Sequence, residues 1–172
     1  MDFFQVIDGR RSMRKYANRP VEEEKLVRIL ESASKAPSAG NLQGYEIYLV
    51  RKNSDRQGLV KAALDQEFFG EAPIVLVFCS DAARSAVQYG DRGANLYSIQ
   101  DATIACAYAQ LAARAQDLDS VWVGAFDEDA VRTLLKIPDT LRPVVLLPIG
   151  YAGKVPVPRP RRTLKDLVHE VK

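Results

Sequence analysis

Ala72-Pro73-Ile74-Val75-Leu76-Val77-Phe78-Cys79 is a continuous apolar run opened by a proline. A strand wetted on one face alternates apolar and polar side chains. One that is apolar at every position is covered on both faces. The run therefore predicts a strand buried on both sides. Upstream, Tyr45-Glu46-Ile47-Tyr48-Leu49-Val50 alternates partly and is rich in strand formers, which predicts a second strand. Downstream, 142–149 reads as another buried strand, and Ser120-Val121-Trp122-Val123-Gly124-Ala125-Phe126 as a short strand ending in a glycine turn.

Between these runs the period changes to that of helices. Leu26, Ile29, Leu30 and Ala33 form a helical stripe over 22–36, and Pro37 stops it, because the residue before a proline avoids the helical region. Phe3, Phe4, Val6 and Ile7 mark a short N-terminal helix. Ser54-Asp55 opens another through about 64, and Asp127 is placed to cap a helix over 128–136. The longest helix is predicted over 95–116, with an inner stripe of Ile99, Ala102, Thr103, Cys106, Ala109 and Ala113. Such small side chains suit ordinary core packing or a close approach at a tight interface. Helices alternating with strands indicate α/β or α+β. The segment 154–162 carries prolines at 156, 158 and 160, so it runs extended over the surface or over a second subunit; Leu164, Leu167 and Val168 mark a last amphipathic turn.

The chain has 172 residues, enough for one domain with a sizeable core. A net charge of +2 gives no global field toward nucleic acid or membrane. No apolar stretch approaches a membrane span. Met1-Asp2-Phe3-Phe4 lacks the basic flank and long apolar run of a secretion signal. Cys79 and Cys106 sit in apolar patterns and form no C-x-x-C, which indicates buried, reduced thiols and a cytoplasmic setting.

The chemistry narrows by elimination. The one histidine, His169, lies in the terminal turn, away from any nucleophile pattern, and no cluster has metal-ligand spacing. Neither G-x-G-x-x-G nor a P-loop is present. Cations gather instead at two places. Arg10-Arg11-Ser12-Met13-Arg14-Lys15 packs four cations and a hydroxyl into six residues, and Arg159, Arg161 and Arg162 follow near the other end. Guanidinium forks and a hydroxyl suit phosphate. In an extended run Arg10, Ser12 and Arg14 share one side, and Arg11, Met13 and Lys15 the other. Taken alone, such a run is equally a solvated basic loop or a nucleic-acid contact. Phosphate-suited arginines with few catalytic acids or bases fit an enzyme whose cofactor carries the chemistry.

Six segments in order extend this reading. Arg10-Arg11-Ser12-Met13-Arg14, Pro37-Ser38-Ala39-Gly40-Asn41-Leu42-Gln43, Gln100-Asp101-Ala102, Trp122-Val123-Gly124-Ala125-Phe126, Leu147-Pro148-Ile149-Gly150-Tyr151 and Arg159-Pro160-Arg161-Arg162-Thr163-Leu164 resemble the motifs of the nitroreductase family of FMN-dependent oxidoreductases. The resemblance implies an α+β sandwich, a central mainly antiparallel sheet flanked by helices, in a single domain over 1–172 with an extended arm from about 152. It implies an intertwined homodimer with two FMN molecules at its interface. Arg10 and Ser12 would hold the phosphate and ribityl end, with Arg11 contributing backbone. Arg14 would lie near the pyrimidine edge. Pro37, Ser38 and Ala39 would line the ring, with Gln43 in the same loop and Asn41 arriving from the other subunit. Backbone at Gly124 would face the ring, and Arg159 and Arg161 would complete the phosphate site. Chemistry stays on FMN: NADH or NADPH reduces it, and a nitroaromatic, quinone or flavin acceptor follows in the same pocket, a ping-pong cycle. Many members have Gln-Pro-Trp where this chain has Gln43-Gly44-Tyr45, and 81–92, with Tyr89, is the only stretch left for a lid. Two other classes stay open: a same-fold flavoenzyme for dehalogenation or flavin breakdown, and a non-enzymatic module whose basic tail binds acidic partners.

Overall fold

A computed structural model describes residues 1–171. The strands are β1 (Tyr45–Val50), β2 (Ile74–Asp81), β3 (Asp119–Ser120) and β4 (Leu141–Gly150), in the order β1-β2-β4-β3, and every neighbouring pair is antiparallel. The helices are α1 (Phe3–Gly9), α2 (Glu23–Ser34), α3 (Asn53–Ala62), α4 (Phe68–Glu71), α5 (Ala82–Arg92), α6 (Ser98–Ala115), α7 (Glu128–Leu135) and α8 (Leu164–Leu167). This is the α+β arrangement with an antiparallel sheet. Among the described residues no helix is long and apolar enough to cross a membrane.

The predicted two-faced strand is β2. Its even positions, Ile74, Leu76 and Phe78, pack with Val145, Leu147 and Ile149 of β4 under α2 and α6. Its odd positions, Val75, Val77 and Cys79, pack with Leu146 under α3, α4 and α7. Each fully buried leucine or phenylalanine contributes roughly 1.5–3 kcal/mol, so two such layers hold the sheet between them. Both cysteines are buried and free.

Capping chemistry sets several ends. Asp2 and Gln5 form a reciprocal capping box on α1, and the Asp127 side chain accepts the Ala130 N–H, as predicted. Four expectations need correction. The predicted strand over 120–126 is only the two-residue β3 and a single bridge at Val123 to Leu146, because the chain turns away from the sheet after Ser120. The longest helix is entered through a π turn at Gly93–Tyr97, and its inner face is wider than the predicted stripe: Ala102, Cys106, Ala109 and Ala113 are buried as predicted, Asp101, Ala105 and Gln110 are buried beside them, and Ile99 and Thr103 are only partly so. α3 stops at Ala62, since Leu64 takes φ +58°. α4 went unread because Phe68 and Phe69 are anchored by packing rather than by helical periodicity.

A polar cluster fastens α2 to the end of β4. The Tyr151 hydroxyl donates to Glu22 Oε2 at 2.7 Å and accepts from Lys25 Nζ at 2.9 Å. Lys25 Nζ also donates to the Gln116 carbonyl, and the Arg19 guanidinium lies 3.7 Å above the Tyr151 ring. The Tyr151 hydroxyl, then the Glu22 backbone N–H and Arg19, hold the Glu22 carboxyl down at about 2, against 4.5 ordinarily. A depressed acid contributes stability in full above its unfolded value and loses it as the pH falls toward its folded one. Stability should therefore fall between pH 4.5 and 2. Tyr151→Phe removes the largest cause, so its melting temperature should depend less steeply on pH across that window. Parallel wild-type and mutant curves would contradict this role.

Candidate functional site

The N-terminal basic run is held by what lies under it. Met13 N–H donates to the Ser120 carbonyl at 3.0 Å, and Ser12 bridges Ser120 in parallel, so the run extends the sheet beyond β3. Gly153 N–H donates to the Lys15 carbonyl, and Ala17 N–H to the Tyr151 carbonyl. Met13 is buried and leaves Ser12 and Arg14 on the outer side, as alternation predicts. Beyond Arg14 the alternation fails. Tyr16 is buried, its hydroxyl meeting the Met13 and Pro148 carbonyls, while Lys15 turns outward to Glu71.

Arg10 is half-buried and close to Arg161 of the tail. Burial first, then the charges of Arg161 and Arg11, lower the Arg10 pKa. Among the described residues neither Arg10 nor Arg161 has a carboxylate in ion-pair reach. A half-buried guanidinium with a second cation acting on it and no acid in reach is a candidate place for an anion. Arg11 turns back, donating to the Asp8 and Arg10 carbonyls, so its head group is spent on the end of α1. Arg14 and Arg159 are exposed.

The second candidate group is the loop 37–44. It contains the 3₁₀ turn Ala39–Asn41 and three left-handed residues: Gly40 at φ +55°, Asn41 at +57° and Gln43 at +51°. Such conformations at non-glycine residues cost roughly 1–3 kcal/mol each and persist only where the surroundings enforce them. Here the enforcement is dense. The Ser38 hydroxyl accepts the Gln43 N–H, the Leu42 carbonyl accepts from Arg84 Nε, and the Gly44 carbonyl accepts the Asp81 N–H. Buried Asp101 accepts the Ala39 N–H at 3.0 Å and the Gly44 N–H at 3.2 Å. Gly44, in place of the family's proline, thus has an N–H and uses it. Gly40 lies under α5: a Cβ there would sit 2.7 Å from the Tyr89 hydroxyl and 2.8 Å from Gln88 Oε1. Tyr89 therefore reaches the loop, whereas the Tyr45 hydroxyl is turned to the Ala33 carbonyl.

The charge of Arg161 acts on Arg10, and Pro37, Ser38, Ala39, Asn41 and Gln43 share one loop, but the basic run and the loop sit at opposite ends of α6. Asp101 holds the loop in its first turn. Gln110 bonds Ser120 beside the basic run, and Arg114 lies against Gly9, thirteen residues from Asp101. At 1.5 Å per residue that is roughly 20 Å. Gly124 is exposed, and a Cβ there would meet nothing within 4 Å. Sequence reading missed Asp101, Arg84 and Ser85 as site residues. Only Asp101 left a signal, an acid inside an alanine-rich helix.

The family model of the nitroreductase family matches residues 7–66 and 57–151. An NADH dehydrogenase of Thermus thermophilus is 31% identical, covering 92% of this chain and 91% of its own. An FMN reductase [NAD(P)H] of Bacillus subtilis is 28% identical, covering 98% of this chain and 73% of its own. The solved NADPH:FMN oxidoreductase of Vibrio harveyi, complexed with NAD+, superposes with a TM-score of 0.90 at 26% identity, over 99% of this chain and 77% of that one.

An anion held by Arg10 and Arg161 should stabilise the chain, because it offsets the unpaired charge of the half-buried Arg10. Inorganic phosphate at ten times its Kd adds about 1.4 kcal/mol, which for this length raises the melting temperature by roughly 3–6 °C. Arg10→Met should abolish the rise. A phosphate effect of equal size in the mutant would place the anion elsewhere.

Proposed function

Because this chain belongs to the nitroreductase family, we propose that it is an FMN-dependent oxidoreductase that takes a hydride from NADH or NADPH and delivers it to a small acceptor. The observation that carries this reading is the split of the candidate site between the two ends of α6, with repelling Arg10 and Arg161 at one end and the constrained loop 37–44 at the other. The donor set fits FMN: guanidiniums and a hydroxyl for a dianionic phosphate at one end, a rigid loop for a flat ring at the other. The names of the Bacillus and Vibrio relatives support the same cofactors.

Two ends some 20 Å apart along one helix serve one ligand most directly when two copies of the chain meet, one supplying the arginines and the other its loop. The face of α1 supports such a pairing. Phe3, Phe4 and Ile7 are exposed, as are Val155 and Val157 of the tail, apolar side chains that a second copy would cover. The assembly in this reading is an intertwined homodimer, each site shared.

Bound FMN supplies a ring that accepts a hydride and passes it on, which lets donor and acceptor use one pocket in turn, by a ping-pong cycle. The chain's own residues bind and bias it. Arg10, Ser12, Arg159 and Arg161 hold the phosphate end, and Arg11 shapes the backbone there. Arg14 places a positive charge beside the pyrimidine edge, where reduction deposits negative charge, and so favours the reduced state. Pro37, Ser38, Ala39, Asn41 and Gln43, all on the loop of the other subunit, line the ring, and Gly124 leaves the approach open. Nitroaromatics, quinones and flavins are the acceptor classes this open site suits. No nucleic acid or membrane takes part, and the setting is the cytoplasm.

Native mass spectrometry of the yellow protein tests the assembly. A dimer carrying two FMN is expected, and a stable monomer that retains FMN would overturn the shared site. Arg14→Met tests the electrostatics. Losing about 1.4 kcal/mol of preference for the reduced state lowers a two-electron potential by about 30 mV. A dye-coupled redox titration should show that drop with a smaller loss of FMN affinity. Equal potentials with collapsed affinity would put Arg14 on the phosphate instead.

A further inference from the structure

Asp101 is 2% exposed, and among the described residues no lysine or arginine lies within ion-pair distance of it. Its two oxygens are used on one segment. Oδ1 accepts the N–H of Ala39 and Oδ2 that of Gly44, the two ends of a six-residue loop. A single carboxyl group thus closes the loop like a clasp. The space behind it is full: a Cβ on Gly44 would lie 2.1 Å from Ser85 Oγ and 3.3 Å from Asp101 Oδ2, and the buried Ser85 Oγ has no partner of its own. Between the clasped ends, Gly40, Asn41 and Gln43 stay left-handed, a conformation that Asn41 and Gln43 would leave if the ends were released.

We propose that Asp101 is the positioning residue of this site: by holding the Ala39 and Gly44 amides on one carboxyl group, it sets the ring-lining loop in its binding shape before any ligand arrives. The proposal rests on the reading of loop 37–44 as the ring end of the FMN site. Asp101 touches the loop and not the ligand. Its contribution is preorganisation, the ordering of a loop that binding would otherwise have to complete. It therefore acts on the ring end alone, and a ligand without a phosphate feels it as much as one with a phosphate.

The experiment uses the full chain freed of flavin, with riboflavin and FMN as probes. Hydrogen exchange read by NMR in the wild type should show the Ala39 and Gly44 amides already protected. Exchange at open-loop rates would overturn the proposal without any variant having to fold. Asp101→Asn keeps the shape but leaves one acceptor for two donors. It should speed exchange of those amides at least tenfold and weaken riboflavin and FMN by the same factor, on the order of tenfold, which corresponds to about 1.4 kcal/mol. Arg10→Met should weaken FMN alone. If Asp101→Asn loses amide protection while both flavins bind as in wild type, Asp101 is only a structural buttress and the proposal fails alone. A wild-type chain that binds neither flavin overturns the FMN reading, and this proposal with it.

Discussion

Strands β2 and β4 have no polar face, and the rest of the chain is arranged around that constraint. Apolar side chains on both sides must be covered, so α2 and α6 close one face and α3, α4 and α7 the other. A sheet covered in this way has no face left for chemistry. Function is pushed to the ends of its longest cover, α6. The middle of α6 is Ala102, Ala105, Cys106 and Ala109, small enough to lie close to the sheet. Its first turn carries Asp101, which holds loop 37–44, and its last carries Arg114, which lies against Gly9 and pairs with Asp119. α6 thus runs as a beam between the two halves of the candidate site.

The elements legible in the sequence were those with a local cause. The two-faced run at 74–79, the alternation at 45–50, the stop at Pro37 and the Asp127 cap each follow from side chains within a few residues. The errors share one origin. The chain after Ser120 has the composition of a strand but finds a partner only at Val123, and the inner face of α6 is widened by Asp101 and Gln110, whose partners lie in other segments. Both outcomes are decided by tertiary neighbours that no window of sequence contains.

The candidate site divides in the same way. The basic run was legible because six residues hold four cations, and motif order gave the family. What could not be read was which arginines act on one another. The charge of Arg161 acts on Arg10, while Arg11 folds onto α1, and only the path of the tail separates these outcomes. The clasp on loop 37–44 was equally hidden, since it joins residues 57 and 62 positions apart. Gly44 stands where many members of the family have proline. In the folded chain it supplies an amide hydrogen that the clasp requires.

An anion site shared by Arg10 and Arg161, as proposed above, would also fix an order in time. These residues are separated by 150 others, and the first leaves the ribosome long before the second exists. While synthesis is under way, the N-terminal arginines are an unfinished half of an anion site. Whatever that pair holds can be captured only after residue 161 has been added and the sheet that brings the two segments together has closed. An anion held by both residues would thus bind only after residue 161 has been made, too late to act as a template for the folding of the first half.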